Sequence, residues 1–274
     1  MVDTMERAPA EPAGVEPSGP AGSRPKAVGL IATVVVALLL LGGIGTFFWS
    51  ETYKSPAGTE VAQSLGTITY NGKTYQHVSL VSTAYPDSTG VVNGQPIHPS
   101  GNSGWPAYGN TNEFQVPANS YVTMTITQYD SGGALNNPYF AQVHGTLSEV
   151  NGRLVPNVAQ ITGPNGVTKT VSAVDPGSVG HTFTLRPAPG ANDQNPSLFV
   201  SVPLPTDTSF PTGTTNGGDG PGGGAKAYTV KFGFFVGPKG TYAWNCEFPC
   251  GLMVGNFGAV MGAYGFMSGF LHVV

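Results

Sequence analysis

From Phe114 to the C-terminus, short runs of alternating apolar and polar residues recur, each closed off by Gly, Pro, Asn or Asp. Tyr121-Val-Thr-Met-Thr-Ile-Thr is the clearest of them. A period of two sets Val122, Met124 and Ile126 on one face and threonines on the other, which suits a strand buried on one side and does not suit a helix. Comparable runs cover 139–143, 166–174, 181–185, 198–204, 228–236 and 241–245. Further upstream, Thr67-Ile-Thr-Tyr and Lys73-Thr-Tyr flank Asn71-Gly72, a pair that supplies the two positive φ angles of a hairpin turn. About eight short strands without helical periodicity predict an all-β sandwich of two sheets. The stretch 86–112 reads as a long irregular connection pinned by Trp105 and Tyr108. Residues 212–225 read as a flexible Gly-rich excursion. They do not form a phosphate loop, since no helix pattern follows Lys226.

Only 9% of residues are charged and the net charge is -4, so no basic stripe exists to neutralise phosphates and a nucleic-acid partner is not expected. Ala27 to Trp49 carries no charge. As a helix it would extend roughly 35 Å at about 1.5 Å per residue, against a hydrocarbon layer of about 30 Å. It exceeds the roughly 7 to 15 apolar residues of a signal peptide, and no Ala-x-Ala site follows it. Arg24 and Lys26 precede the run, and Phe47, Phe48 and Trp49 close it. The expectation is therefore a single-pass cell-membrane protein with a cytoplasmic N-terminus and everything after Glu51 extracytoplasmic. The expected organisation is a disordered cytoplasmic tail (1–26), one N-terminal transmembrane helix (27–49), a loop-rich segment with a β-hairpin that packs on the sandwich (50–113), and the sandwich itself (114–274).

The residues most able to carry chemistry lie near the end. Cys246 closes a strand pattern, Cys250 follows three residues later, and Met267 precedes the last strand. Soft sulfur donors gathered between two terminal strands suit copper better than magnesium or calcium. The same two cysteines, in an oxidising compartment, could instead form a disulfide. His181 alternates with Phe183 and Leu185, so its imidazole points inward and needs a partner, either a metal or a backbone carbonyl. His77 and His98 fall in loop-rich sequence and are expected to be solvated. His144 follows a predicted strand and can lie near the site. His272 sits within the last strand and is expected to be a surface or hydrogen-bonded residue. Trp244, Met253 and Met261 read as core filling. No Gly-x-Ser-x-Gly elbow or His-Glu-x-x-His pair is present, which disfavours a hydrolase.

From about Phe114 to Val274 the chain resembles the cupredoxin family, in particular its membrane-anchored, sulfocyanin-like members. Phe114-Gln-Val-Pro-Ala-Asn-Ser-Tyr-Val-Thr is similar to an early strand of that family, and Gly180-His181-Thr-Phe-Thr-Leu to the segment that supplies its first histidine ligand. Gly240-Thr-Tyr-Ala-Trp-Asn-Cys246 resembles the strand ending in the ligand cysteine, and Met267-Ser-Gly-Phe-Leu-His-Val the run of the axial methionine and last strand. The resemblance implies a Greek-key β-sandwich binding copper at one end, with Phe183, Phe257 and Phe266 as lining. The family usually places a second histidine soon after the cysteine, but no histidine occurs between Cys246 and His272, and Cys250 occupies that neighbourhood. The Cys246 to Cys250 spacing resembles the binuclear copper loop of cytochrome c oxidase subunit two. That loop needs a histidine close behind, so a mononuclear site is favoured and a binuclear one stays open.

Three states of the site follow: copper held by His181, Cys246, Cys250 or a water, and Met267; a centre recruiting His144 or His272; and a metal-free sandwich with a Cys246–Cys250 disulfide. The function implied is one-electron transfer in a respiratory chain, with redox proteins or a terminal oxidase as partners and no catalytic residues of its own. The alternatives are a Cu(I) acquisition or delivery protein and a metal-free accessory subunit of an oxidase.

Overall fold

The computed structural model describes residues 35–40, 42, 58–92, 95–101, 105–109, 111–129, 136–189, 195–205, 227–250, 252–253, 256–257, 260–261 and 263–274. The chain divides into two compact units, Met1–Phe48 and Trp49–Val274. In the first, residues 35–40 and 42 are helical, and Val35, Val36, Leu38, Leu39 and Leu40 are all exposed. The rest of the expected 27–49 helix, the tail 1–26 and the excursion 212–225 lie outside the described residues. No helix among the described residues is long and apolar enough to cross a membrane.

The second unit is all-β. In chain order its strands are β1 (Thr59–Val61), β2 (Gln63–Tyr70), β3 (Lys73–Tyr85), β4 (Val91–Val92), β5 (Gln95–Pro96), β6 (Ala107–Gly109), β7 (Glu113–Val116), β8 (Tyr121–Gln128), β9 (Leu147–Val150) and β10 (Arg153–Pro156). They continue as β11 (Ala159–Thr162), β12 (Thr168–Val171), β13 (Val179–Pro187), β14 (Val200–Pro205), β15 (Tyr228–Phe235), β16 (Gly240–Asn245), β17 (Leu252–Met253), β18 (Asn256–Phe257) and β19 (Ser268–Val273). Two large sheets result. One has the order β1-β7-β19-β16-β13-β14; the other runs β12-β11-β15-β8-β3-β2, with β6 added on β3. Pairing is antiparallel except at β1–β7, β7–β19 and β3–β8.

The period-two pattern explains which face each strand buries. Val122, Met124 and Ile126 of β8 are fully buried, as are Val230, Phe232 and Phe234 of β15, whereas Lys231 between them is exposed. On β19, Leu271 and Val273 point into the core and His272 lies on the other face. Phe183 of β13 packs against Phe232 of the opposite sheet with ring centroids 5.7 Å apart, and Trp244 of β16 stacks on Phe183 at 5.4 Å. Each such buried side chain contributes on the order of 1.5–3 kcal/mol from area alone. Asn71 and Gly72, at φ 51° and 75°, turn β2 into β3 as the Asn-Gly pair predicts.

The structure departs from the sequence reading in three places. The β2–β3 hairpin, expected to pack on the sandwich, is built into one of its sheets: β3 pairs with both β2 and β8, and is an interior strand. Residues 139–143 are turns with an isolated bridge at Gln142, because successive Asn137 side-chain and backbone contacts hold them in a tight bend. The 166–174 strand shortens to β12, since Gly166 at φ 77° belongs to the turn before it.

Candidate metal centre

Three strand ends converge at one pole of the sandwich. β13 and β16 are antiparallel neighbours with Thr184 opposite Asn245, so the residues just after β16 run alongside the start of β13, where His181 sits. β16 also pairs with β19, Asn245 opposite Ser268, which puts Cys246 beside Met267. The Cys246 amide donates to the Met267 carbonyl at 2.9 Å. The β13–β14 register shifts between Val179 and His181, a bulge immediately before the imidazole.

The donor atoms of His181, Cys246 and Cys250 all lie within 4.8 Å of one another, and all three residues are buried. Cys246 Sγ stands 3.7 Å from His181 Nδ1 and donates toward the Phe248 carbonyl at 3.3 Å. Cys246 and Cys250 are separate thiols. Met267, whose carbonyl accepts from the Cys246 amide, is completely buried. Burial alone pushes the Cys246 thiol up. Hydrogen bonds with Cys250 and His181, the charge on His181 and the Thr182 backbone outweigh that and hold it well below its ordinary value. A thiol that ionises readily is the form that ligates metals.

The surrounding residues brace the segments that carry His181 and Cys246. Thr182 Oγ1 accepts from the Glu247 amide at 2.8 Å, and Glu247 pairs with Arg186 at the rim. Asn245 Nδ2 donates to the Cys246 carbonyl at 2.9 Å and to Glu247 Oε1 at 3.1 Å. Thr182 and Thr184 are buried on the face opposite Phe183 because these bonds, and one between Thr184 and Ser201 at 3.0 Å, satisfy their hydroxyls.

Of the histidines weighed as recruits, neither joins the cluster. His144 bridges to Ser201 at the sheet edge and stacks on Tyr139 at 4.6 Å; His272 turns outward and bonds Glu113 Oε2 at 2.6 Å. His98, expected in solvent, is 2% exposed and stacks on Phe266 at 3.8 Å, with Trp105 edge-on to the same ring at 4.8 Å. Its segment lies over the residue preceding Met267, which is why it is not solvated. His77 is half-buried and bonds Thr123 Oγ1 at 2.8 Å. The Phe257 and Met253 side chains lie outside the described residues.

Two neighbours of the site escaped the sequence reading. Tyr108, read there only as a loop anchor, is fully buried, donates to the Thr182 carbonyl at 3.3 Å and packs on Trp244 at 4.9 Å. Burial, then the charges of Cys246 and Cys250, hold its phenol well above the ordinary range. Asn112, at the end of the same connection, is the second. Nothing in its sequence neighbourhood signals either role.

The donor chemistry suits copper. Cysteine sulfur and imidazole are shared by zinc and copper sites, whereas a thioether such as that of Met267 would be a copper donor and not a customary zinc one. No protein-family model matches the chain, and no curated protein sequence does. Among solved structures it is similar to His143Met rusticyanin at 14% identity (TM-score 0.33, 85% of this chain and 94% of that chain covered). Rusticyanin from Thiobacillus ferrooxidans is similar at 15% identity (TM-score 0.31, the same coverage). Auracyanin B is similar at 15% identity (TM-score 0.27, 78% of this chain and 97% of that chain). Likenesses this distant assign no residue, so the reading of the site rests on the chain's own donor set.

Proposed function

We propose that this chain is a cupredoxin-like copper protein that transfers single electrons and is tethered to the outer face of a cell membrane. The observation that carries the proposal is the buried meeting of His181, Cys246 and Cys250 beside Met267. Bound there, copper supplies a one-electron couple. The chain's part is to supply a thiolate at Cys246, an imidazole at His181 and soft sulfur at Cys250 and Met267, and to exclude water with Phe183, Phe248 and Phe266. Electron transfer needs no catalytic residue, so we assign none, and the partners are redox proteins or a terminal oxidase.

The tether is part of the proposal. Val35, Val36, Leu38, Leu39 and Leu40 are exposed within the helical residues 35–40, and a helix that is apolar all round is at home in lipid. Arg24 and Lys26 before it favour a cytoplasmic N-terminus.

One observation favours a second reading. The cluster holds a second cysteine, Cys250, and no second imidazole, and a second thiolate would favour Cu(I), as a copper acquisition or delivery protein would require. Metal analysis, visible absorption and redox titration of the detergent-solubilised full chain separate the readings. One copper per chain with an intense thiolate band and a reversible couple supports the carrier. Tight colourless Cu(I) binding supports delivery, and zinc uptake, or no metal with a reducible Cys246–Cys250 disulfide, overturns both. In Cys250→Ser, loss or change of the bound copper identifies Cys250 as a ligand.

A further inference from the structure

We infer that Asn112 is the positioning residue for Met267, a role that rests on the copper reading of the site. Met267 lies in a turn before β19 and depends on its neighbours to present its side chain. Asn112 is completely buried, and its Nδ2 donates to the carbonyls on either side of Met267, Phe266 O at 3.1 Å and Ser268 O at 3.2 Å. Its own carbonyl accepts from the Phe270 amide at 3.0 Å. The Met267 carbonyl between them is held from the other side by the Cys246 amide at 2.9 Å. Three successive peptide units around Met267 are thus fixed from two directions.

The contact is closer than ordinary packing permits for any residue but glycine at 269. A Cβ there would fall 1.9 Å from the Asn112 carbonyl oxygen, so Gly269 is what lets the Asn112 backbone reach this segment. Glu113, the next residue, extends the grip: its carboxylate accepts from Tyr264 before Met267 and bonds His272 after it.

Two features distinguish this from a stability device. Asn112 Oδ1 is buried and has no hydrogen-bond partner among the described residues. An orphaned buried acceptor is destabilising, so the amide is kept there for its two donors. The two carbonyls also fix the amide's orientation, since the flipped form would set oxygen against oxygen. The donors act on the turn bearing Met267 and on the first residue of β19, at the point where the turn enters the ladder.

The test uses the full chain in detergent, with Asn112→Asp, which keeps shape and loses the paired N–H donors, on wild-type and Met267→Leu backgrounds. In metal-free protein, amide exchange at Cys246 should quicken about tenfold, the factor corresponding to 1.4 kcal/mol. With copper, the relative Cu(II) to Cu(I) affinity should change by a comparable factor, about 59 mV in a one-electron couple, together with the visible band. On the Met267→Leu background the potential and band should not move further. Unchanged exchange and potential in Asn112→Asp, or an equal shift with and without Met267, overturns the assignment. If Asn112→Asp fails to fold, Asn112→Ser replaces it, and if neither folds Asn112 is a folding residue and the inference is lost. Wild-type protein that takes up no copper refutes the functional reading itself, a result distinct from the others, and the inference falls with it.

Discussion

The hydroxyl of Thr182, one residue past His181, accepts a 2.8 Å hydrogen bond from the amide of Glu247, one residue past Cys246. It links the His181 segment to the Cys246 segment, so the imidazole and the thiol keep their spacing independently of any bound ion. Thr182→Val should leave the Glu247 amide without its partner. The expected cost is about 1–3 kcal/mol, read as a lowered denaturation midpoint in metal-free protein. Arg186→Ala, which breaks the partly exposed pair with Glu247, should cost about 1 kcal/mol or less. Equal effects for the two would show that the rim ion pair, not the Thr182 bond, holds the segments together.

Gly269→Ala tests the close approach of Asn112 directly. The added methyl has no room against the Asn112 carbonyl, so the backbone must separate and the Phe270 amide must lose its acceptor. Overpacking of this kind costs about 1–3 kcal/mol, and the lost bond adds to it. Chemical denaturation of metal-free protein measures the sum; a wild-type midpoint would mean the segment relaxes freely.

Phe183→Ala removes a ring shared by Trp244, Tyr108 and Phe232, and so loosens the seam between the two sheets. A loss of about 3–5 kcal/mol is expected, with Phe183→Leu losing much less. Urea midpoints for the pair give the comparison.

His77 gives the fold a pH dependence of predictable sign. Burial lowers its pKa from 6.5; the charge of Glu149 partly opposes this and that of Lys231 adds to it. A base lowered by folding binds fewer protons in the native state, so its contribution is complete above the unfolded value near 6.5 and is lost as pH falls below it, levelling off under the folded value. His77→Gln should flatten the dependence of the urea midpoint in that interval, and an unchanged slope would assign the effect to other groups.

The strands at the heart of the sandwich were legible because one period of two sorted their side chains, as with Val122, Met124 and Ile126 or Phe232 and Phe234. Turn chemistry was legible where it was sought. Asn71-Gly72 marked its hairpin, and Asn151-Gly152, at φ 50° and 75° between β9 and β10, carries the same signal in a stretch to which no strand was assigned. His181, Cys246 and Met267 could be singled out because His181 lies within a strand and the other two directly adjoin one, and strands follow from local pattern. Asn112, Tyr108 and His98 could not. They reach the site from a connection whose path is set by tertiary contacts such as the Tyr108 amide to the Phe266 carbonyl at 2.8 Å. No short-range rule marks an asparagine whose partners lie more than 150 residues away.

His181 lies within a strand, Cys246 follows one directly and Met267 precedes one directly, whereas Cys250 hangs from the connection between β16 and β19. Alterations in the length or composition of that connection therefore act on a single donor while the other three keep their scaffold. Under the proposed copper reading, replacing the stretch around Cys250 with one bearing an imidazole would recast the electronic character of the centre without asking the sandwich to fold anew.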